Sequence, residues 1–412
     1  MRRSPSVVAA LGVAAACLAA TTTAAAPSSG PAIVQPGFVV TPFAQTQGTA
    51  TSLAFSPDAQ TLYVTDSTGG TVLAIDPNGV VETFATGFRS PLGVVAGADG
   101  SVYVADAEAA REGPYGLRSY GRVWRVRDTD GDGVADKQRV VLKDLPNGRH
   151  NTNGLAFGPD GLLYVANGNS TDDGVEGGEA EVEPWSGSVV RVNPRAKNRS
   201  VTDLPRSALV AHGWRNVYDL AFSPVDMTKL FVPMNGTDDA RQGSTGENPA
   251  DPNLEDSDDL LYLTDVDDRR IDDFAFPSCL YNLAERGNLK PYPNPNPDVI
   301  ERFGPCRKRI VPRPVSSFGL HPSANGLAFQ TTDAWGEDYL DDLFVAEWGS
   351  IFGPPAGHKV VRVELDETGT KVTAQSDFLE LDTPLDVTFH PEGAAMYVAD
   401  FSGTIFKVEK AI

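Results

Sequence analysis

The sequence predicts an all-β protein built as a six-bladed propeller, and three observations lead to this fold. A strand–turn–strand motif occurs six times along the chain. Most copies are followed by a third short strand, as in GTVLAIDP beginning at Gly70. The shortest spacing between copies, from Leu53 to Val94, is about 40 residues, which is the length of one propeller blade. Longer spacings between the other copies indicate insertions.

Each copy alternates apolar with small or polar residues on both sides of a turn such as Pro159-Asp160-Gly161, as is typical of a hairpin. The six copies are SLAFSPDAQTLYVTD at Ser52, GVVAGADGSVYVAD at Gly93, GLAFGPDGLLYVANG at Gly154, DLAFSPVDMTKLFVPMNG at Asp219, GLAFQTTDAWGEDYLDDLFVAEWG at Gly326 and DVTFHPEGAAMYVAD at Asp386. The last copy has no room for a fourth strand, so we expect 37–45 to complete that blade and close the ring. A β-sandwich is the alternative, but six similar hairpins are unusual in that fold.

The N-terminus has the features of a signal peptide. Arg2 and Arg3 precede an apolar stretch, 7–20, that is too short to span a bilayer, and small residues suited to cleavage follow it. The predicted division is a signal peptide at 1–26, a linker at 27–36 and the propeller at 37–412. The segment around Cys17 lacks the leucine of a lipoprotein box. We therefore expect a secreted or periplasmic protein with no lipid anchor at that cysteine and no transmembrane span.

Charge and cysteine usage restrict the partners and the compartment. The formal net charge of −21 argues against a nucleic-acid partner, because phosphate binding needs a basic surface. If the signal peptide is removed, only Cys279 and Cys306 remain. Two cysteines in an exported protein most simply form one disulfide, and the alternative is a pair of buried thiols.

Propeller topology indicates which face carries function. Segments before first strands and after second strands lie on one face, and the long loops are all of the second kind. His150 precedes the third blade's first strand, and Arg215, Asn216 and Asn325 take equivalent places in the next two blades. An imidazole can act as a general base, and a guanidinium can bind a carboxylate or polarise a carbonyl. The alternatives are a histidine that holds a turn and an arginine in a salt bridge.

Two acidic stretches could bind calcium. DTDGDGVAD, 128–136, has alternating aspartates with glycines that allow a tight wrap, which suits oxygen ligation of Ca²⁺. The predicted ligands of this structural ion are Asp128, Asp130, Asp132 and Asp136. The alternative is a solvated acidic turn. Most of 243–260 is predicted to be a solvated loop, with Asp258 or Asp259 as candidates for a second ion site at the channel mouth.

The order of several stretches resembles the glucose/sorbosone dehydrogenase family, which are secreted six-bladed propellers that use pyrroloquinoline quinone. The stretches are HNTNGLAFGPDGLLYVANG, GWRNVYDLAFSP, DDFAFPSC, ANGLAF, DLFVAEWGSIFGPPAGHKVVRV and PLDVTFHPEGAAMYVAD. The resemblance implies a dehydrogenase that oxidises an aldose or related sugar or aldehyde by hydride transfer to the quinone, with an external electron acceptor. It implies that His150 accepts the proton of the anomeric hydroxyl and that Arg215 and Asn216 contact the quinone. It also implies a catalytic role for Arg215, which stabilises the charge that builds on the quinone's carbonyl oxygen. Asn325 is assigned to the same cofactor site by its equivalent position, and the loop 235–259 is expected to hold a calcium ion beside the cofactor.

The chain departs from the family pattern in three segments. The family has Gly-Trp-Pro where this chain has Phe274-Ala275-Phe276-Pro277, a histidine or lysine near Trp348-Gly349-Ser350-Ile351, and an arginine near Asp382-Thr383-Pro384-Leu385. The loss of two cations should weaken binding of a tricarboxylate, because each charge-assisted hydrogen bond is worth roughly 1.5–3 kcal/mol.

Two other functions therefore stay open. One is a non-catalytic secreted propeller that binds a glycan or a protein. The other is a calcium-dependent lactonase, which needs a glutamate, an asparagine and an aspartate converging on the axis. The sequence offers Asn153, Asn216 and Asp219 for this purpose but no convincing glutamate.

Overall fold

The computed structural model describes residues 30–172, 174–176, 179–180, 182–237, 257–283, 290–307, 312–350 and 356–411. The predicted signal peptide, including Cys17, lies outside these residues. From Pro31 onward, the described residues belong to one compact unit. No helix in the described ranges is long and apolar enough to cross a membrane.

Six sheets of four or five strands follow one another along the described chain, which confirms the predicted six-bladed propeller. Blade 1 contains Ala50–Phe55, Leu62–Asp66, Thr71–Ile75 and Val81–Thr86. Blade 2 contains Gly93–Ala96, Val102–Ala107, Tyr120–Arg127, Lys137–Pro146 and Arg199–Ser200. Blade 3 contains Thr152–Phe157, Leu163–Asn167, Ser188–Val192, Leu209–His212 and Asp272–Asp273.

The remaining three blades follow the same plan. Blade 4 contains Asn216–Val217 and Ala221–Phe222, then Lys229–Asn235, Asp258–Asp265 and Ser316–Leu320. Blade 5 contains Ala324–Phe329, Leu343–Glu347, Lys359–Leu365, Val372–Glu380 and Ala32–Ile33. Blade 6 contains Pro384–Phe389, Ala395–Asp400, Thr404–Lys410 and Phe38–Gln45.

The hydrophobic core lies between adjacent blades because alternate side chains of each strand face the next sheet. Between blades 2 and 3, for example, Tyr103 and Ala105 pack in one cluster with Leu155, Leu163 and Val165. Each such buried aliphatic side chain contributes about 1.5–3 kcal/mol. This packing keeps the inner strands in a fixed arrangement, so residues at their ends hold defined positions.

The N-terminal segment adds strands to the last two blades. Phe38–Gln45 pairs antiparallel with Thr404–Lys410 and forms the outer strand of blade 6. Within the segment predicted to be a linker, Ala32–Ile33 pairs with the outer strand of blade 5. Blades 1 and 6 are adjacent, since the backbone amide of Leu53 donates to Asp386 Oδ2 at 2.7 Å.

The insertion in blade 4, between its third and fourth strands, packs beside the loops of blade 3. It contains the hairpin of Cys279–Leu280 and Tyr292–Pro293 and the helix Pro297–Phe303. The predicted Cys279–Cys306 disulfide is confirmed, with an S–S distance of 2.00 Å. Phe274, where the chain departs from the family pattern, stacks on buried Trp214 with ring centroids 4.4 Å apart. The insertion thus supports the backbone that immediately precedes Arg215.

Shorter elements lie between the strands of the blades. Hairpins form from Arg111–Gly113 with Gly116–Arg118 and from Val175–Glu176 with Glu179–Ala180. Short 3-10 helices span Val201–Asp203, Arg206–Ala208, Asp333–Trp335 and Glu337–Tyr339.

Candidate functional site

A cavity of about 260 Å³ opens on the face where first strands begin and second strands end. Blades 3, 4 and 5 line it. The lining residues are Arg149, His150, Arg215, Asn216, Asn235, Gly236, Asp259, His321, Ser323, Trp348, Gly349 and Ser350. The structure therefore brings together three of the residues predicted from sequence, His150, Arg215 and Asn216, although they are distant along the chain.

The imidazole of His150 is held by the loop that follows the second strand of blade 3. The His150 amide donates to Asn169 O at 3.1 Å, and Nδ1 lies 2.5 Å from Asn169 Oδ1. Because that amide oxygen can only accept, Nδ1 carries the proton and Nε2 keeps its lone pair. Burial, and then the positive charge of Arg215, lower the pKa of His150 to about 3. The ring is therefore neutral near pH 7, as a proton acceptor must be.

The guanidinium of Arg215 is buried and paired. Its Nε donates to Asp172 O at 3.0 Å, and Nη2 donates to the carboxylate of the same residue. Burial opposes ionisation of Asp172, but Arg215 and then Arg149 lower its pKa below the usual value. Arg215 therefore forms a salt bridge to a nearby acid, which was the alternative interpretation of this residue. It also lines the cavity.

Gly168 lies between His150 and Asn216, two of the predicted residues that line the cavity. A Cβ at this position would lie 2.6 Å from His150 Cβ and 2.6 Å from Asn216 Oδ1. Asn216 donates from Nδ2 to Asn235 Oδ1 at 2.7 Å and accepts from Asn153 Nδ2 at 3.2 Å. A side chain as small as a methyl group at Gly168 would separate His150 from Asn216.

Asp259 supplies a carboxylate to the cavity wall. It is buried, and it accepts from Gly236 N at 2.8 Å and from Ala324 N at 2.8 Å. Asp258 does not line the cavity; its Oδ2 accepts from Leu283 N at 2.8 Å and from Ser317 Oγ at 2.7 Å. Of the two candidate ligands for a second ion site, only Asp259 lines the cavity. Residues 238–256 of the predicted calcium-binding loop lie outside the described residues.

Asn325 is not part of the described cavity lining. It is buried in the first strand of blade 5, and its Nδ2 donates to Ser323 Oγ at 3.2 Å. Ser323 lines the cavity instead. The equivalent position in the repeat therefore does not bring this side chain into the described lining of the cavity.

Two histidines at this face were not among the site residues predicted from the sequence. His321 lines the cavity and has a left-handed backbone, with φ of +60°. His321 precedes the first strand of blade 5 much as His150 precedes that of blade 3. This equivalent position could have identified His321 as a candidate cavity residue from the sequence. His358 packs against Gly349, since a Cβ there would lie 2.3 Å from the ring. Its imidazole therefore lies against the segment where the family resemblance implies a cation.

The segment 382–385, where the resemblance implies a further cation, contributes no residue to the described lining. Thr383 is instead bound to Asp400, which accepts from its amide at 2.8 Å and from its hydroxyl at 3.0 Å. Positive charge at the cavity therefore comes from Arg149 and Arg215.

The predicted calcium loop lies between the third and fourth strands of blade 2. Oxygens of Asp128, Asp130 and Asp132 lie within 4.8 Å of one another. Asp136 does not join this group, because its carboxylate accepts from Thr129 N and Oγ at 2.8 and 2.6 Å and pairs with Lys137. The role of Asp136 as a fourth ligand therefore stays a prediction.

Comparisons with known proteins show similarity chiefly to solved structures. A family model described as "Domain of unknown function (DUF7133)" matches residues 81–213, and no curated protein matches the sequence. The chain is similar to the calcium structure of a Trichoderma reesei carbohydrate-active enzyme of family AA12, with 14% identity over 95% of this chain and 100% of that one, at a TM-score of 0.71.

Two further solved structures are similar over most of the chain. The pyrroloquinoline quinone domain of pyranose dehydrogenase from Coprinopsis cinerea is 15% identical, covering 93% of this chain and 98% of that one, with a TM-score of 0.70. The quinone-bound aldose sugar dehydrogenase from Streptomyces coelicolor is 18% identical, covering 90% and 98%, with a TM-score of 0.61. The expected resemblance to soluble quinone-dependent sugar dehydrogenases is therefore confirmed at the level of the fold.

Proposed function

We propose that the protein is a pyrroloquinoline quinone-dependent dehydrogenase that oxidises an aldose or related sugar or aldehyde and passes electrons to an external acceptor. The observation that carries this proposal is the convergence of His150, Arg215 and Asn216 on one cavity. The names of the structurally similar proteins support the same chemistry. We also propose that the protein is exported, which the Cys279–Cys306 disulfide supports.

The cavity suits an anionic, planar cofactor in three respects. Arg149 and Arg215 supply positive charge, and an aromatic wall is formed by Trp348. Among the described residues, the buried Nε1 of Trp348 has no hydrogen-bond acceptor, so a ligand oxygen could satisfy it. We assign cofactor contacts to Arg215 and Asn216, with Arg149 and Trp348 as additional contacts. Asn325, which lies off the cavity, is not retained in this set.

The residues of the chain then take distinct roles. Bound pyrroloquinoline quinone supplies a two-electron acceptor for the hydride that leaves the substrate carbon. His150 Nε2 accepts the proton of the substrate hydroxyl, and Asn169 holds the tautomer that makes this atom the acceptor. An anionic ligand in the cavity would offset the charge of Arg215 and so raise the pKa of His150 from about 3. Binding of the cofactor should therefore make the histidine a stronger base.

We propose calcium at two positions. Asp259 would hold an ion at the cavity, because its carboxylate is buried there against the Gly236 amide. Asp128, Asp130 and Asp132 would hold a structural ion in blade 2. The Ala135 amide donates to Phe84 O at 2.7 Å, so ordering of the blade 2 loop would also strengthen its contact with blade 1.

Dye-reduction assays on the protein reconstituted with quinone and calcium test the proposal over a panel of aldoses. We expect activity in the wild type and a fall in kcat of about 10²–10⁴-fold in His150→Gln, with quinone affinity retained. The matched control is His390→Asn, because His390 packs on Phe55 away from the cavity. Absence of activity over the whole panel, or equal loss in both variants, would reject the assignment.

A calcium-dependent lactonase is the second candidate function. A series of side-chain contacts in the cavity favours this function. Asn216 donates to Asn235, and Asn235 Nδ2 lies 3.5 Å from Asp259 Oδ2. Hydrolysis of lactones with calcium and without quinone would support this function instead. If neither reaction occurs and the quinone does not bind, the third alternative, a non-catalytic glycan- or protein-binding propeller, gains support.

A further inference from the structure

A second large depression lies at the opposite end of blade 3 from the cavity described above. It has a volume of about 720 Å³ and is bordered by the turn at Asp160–Leu162 and by 191–208. A neighbouring depression of about 820 Å³ shares Asp160, Leu162 and Arg195 with it. Because they share these residues, the two depressions adjoin, and together they are treated as one open groove.

One wall of this groove is basic, in contrast to the rest of the chain. The segment 191–206 has five basic residues and one acidic residue, whereas the whole chain has 34 basic and 55 acidic residues. Four of these cations line the 720 Å³ depression: Arg191, Arg195, Lys197 and Arg199. We call this feature the basic groove.

Three of the four cations are available to a ligand. Arg191 is engaged, since it donates to Val266 O at 3.2 Å and lies 3.6 Å from Asp160. Arg195, Lys197 and Arg199 are exposed and form no ion pair with an acid in the part of the chain that the structure describes. Their charges are therefore not neutralised locally.

One neighbouring arginine, Arg139, adds to the positive potential. Burial, and then repulsion by Arg125, lower the pKa of Arg139, whose guanidinium donates to Ala196 O. Asp99 pairs with Arg125 at 2.5 Å but has no such pairing with Arg139. An anion bound at this end of blade 3 would relieve this crowding of like charges.

The floor of the groove is apolar and partly aromatic. Leu162, Val192 and Leu204 line the 720 Å³ depression, and Tyr103 and Phe157 line its neighbour. A ligand with anionic groups on one edge and apolar ring faces on the other would match both the wall and the floor. An inorganic anion would contact the wall alone.

Strand edges near the groove are partly covered, which disfavours one mode of peptide binding. Arg199–Ser200 pairs with Leu142 and Lys143 of the outer strand of blade 2, and Asp272–Asp273 pairs with Ala211 and His212 of blade 3. These pairings shorten the edge on which an extended peptide could add as a strand. Three available cations suit a chain with widely spaced carboxylates better than a nucleic acid, which carries one charge per about 1.7 Å of duplex.

We propose that the basic groove binds an acidic polysaccharide, with Arg195, Lys197 and Arg199 contacting its carboxylates and the apolar floor contacting its sugar rings. This inference does not depend on the proposed dehydrogenase activity, because the groove and the cavity lie at opposite ends of blade 3. Binding here would hold the protein on an acidic glycan while leaving the cavity accessible.

Calorimetric titration with oligogalacturonate at low and high salt tests the proposal. We expect saturable binding that weakens as salt rises, and at least about tenfold weaker binding in the triple variant Arg195→Gln, Lys197→Gln, Arg199→Gln. Dextran, which has similar rings but no charge, should not bind. Absence of binding by the wild type, or binding that is unchanged in the triple variant, would overturn the proposal.

The matched control removes three exposed cations elsewhere, Lys290, Arg302 and Lys371, and should bind oligogalacturonate like the wild type. Equal weakening in the control would show a general charge effect and overturn the assignment. Equally tight binding of a poly-glutamate peptide, or competition by millimolar inorganic phosphate, would also contradict a polysaccharide site. Melting temperatures of both triple variants verify that the fold is retained.

Discussion

The substitution Asp219→Asn should change how the stability of the propeller depends on pH. Asp219 lies between the two segments of the first strand of blade 4, Asp386 lies within the first strand of blade 6, and the two influence each other's ionisation. Their carboxyl groups occupy space left by glycines, since a Cβ at Gly154 would lie 2.1 Å from Asp219 Oδ1 and one at Gly326 would lie 2.1 Å from Asp386 Oδ1. The pair is thus built into the contacts between inner strands.

Burial raises the pKa of Asp219 to about 7, and burial with the charge of Asp219 raises the pKa of Asp386. Tyr218 is the other titratable group influenced by this pair among the described residues, and its hydroxyl donates to Thr51 O at 3.3 Å. At neutral pH the pair therefore retains a proton, which limits the repulsion between the two carboxyl groups.

The sign of the effect follows from the direction of the shift. The folded protein holds the Asp219 proton more tightly than the unfolded chain, whose aspartate titrates near 3.8. The stabilising contribution is complete below that pH and is lost as pH rises towards about 7. A shift of this size corresponds to roughly 4 kcal/mol in total, of which about 2–3 kcal/mol falls between pH 5 and pH 8. Partial exposure of Asp219 makes these values upper limits.

Urea unfolding at several pH values between 5 and 8 measures this contribution. The wild type should lose stability across the range, and Asp219→Asn should show a flatter dependence because its side chain cannot ionise. Asp366→Asn is the matched control, since hydrogen bonds lower the pKa of that exposed residue and it stays ionised above pH 5. Equal slopes for the wild type and Asp219→Asn would refute the reasoning.

Three further predictions concern the site and the scaffold. Gly168→Ala should reduce dehydrogenase activity about 100-fold and cost about 1–3 kcal/mol of stability, because its methyl group would displace His150; unchanged activity would contradict the geometry. Calcium at about 100 times the Kd of the blade 2 loop should stabilise the wild type by roughly 2–3 kcal/mol through that site, measured by thermal unfolding, and Asp128→Asn should lose this part of the gain; equal gains would argue for a solvated turn. Reduction of the Cys279–Cys306 disulfide, which closes a loop with a sequence separation of 27, should lower the free energy of unfolding by about 3–4 kcal/mol in urea, and an unchanged midpoint would contradict this.

Features that depend on local repetition could be predicted from the sequence. Alternation around turns such as 158–162 identified each hairpin, and the number of copies gave the number of blades. Because antiparallel strands fix which ends share a face, the convergence of His150 and Arg215 followed from topology alone. The disulfide followed from the compartment and from the count of cysteines.

Features that depend on side-chain direction or long-range pairing could not be predicted. Asn325 sits at the expected repeat position, but its amide is bound to Ser323 and does not line the described cavity. The ion pair of Arg215 with Asp172 joins two loops 43 residues apart, and no sequence pattern specifies it. His321 occupies a position before a first strand that the sequence does show, but no sequence pattern predicts the left-handed backbone conformation that it has at the cavity.

The assembly of the cavity into a quinone site is tested most directly by titration of the apo protein with pyrroloquinoline quinone in the presence of calcium. We predict one saturable site in the wild type, about 10–100-fold weaker binding in Arg215→Lys, and unchanged binding in His390→Asn. Absence of binding in the wild type, or equal affinity in Arg215→Lys, would contradict it.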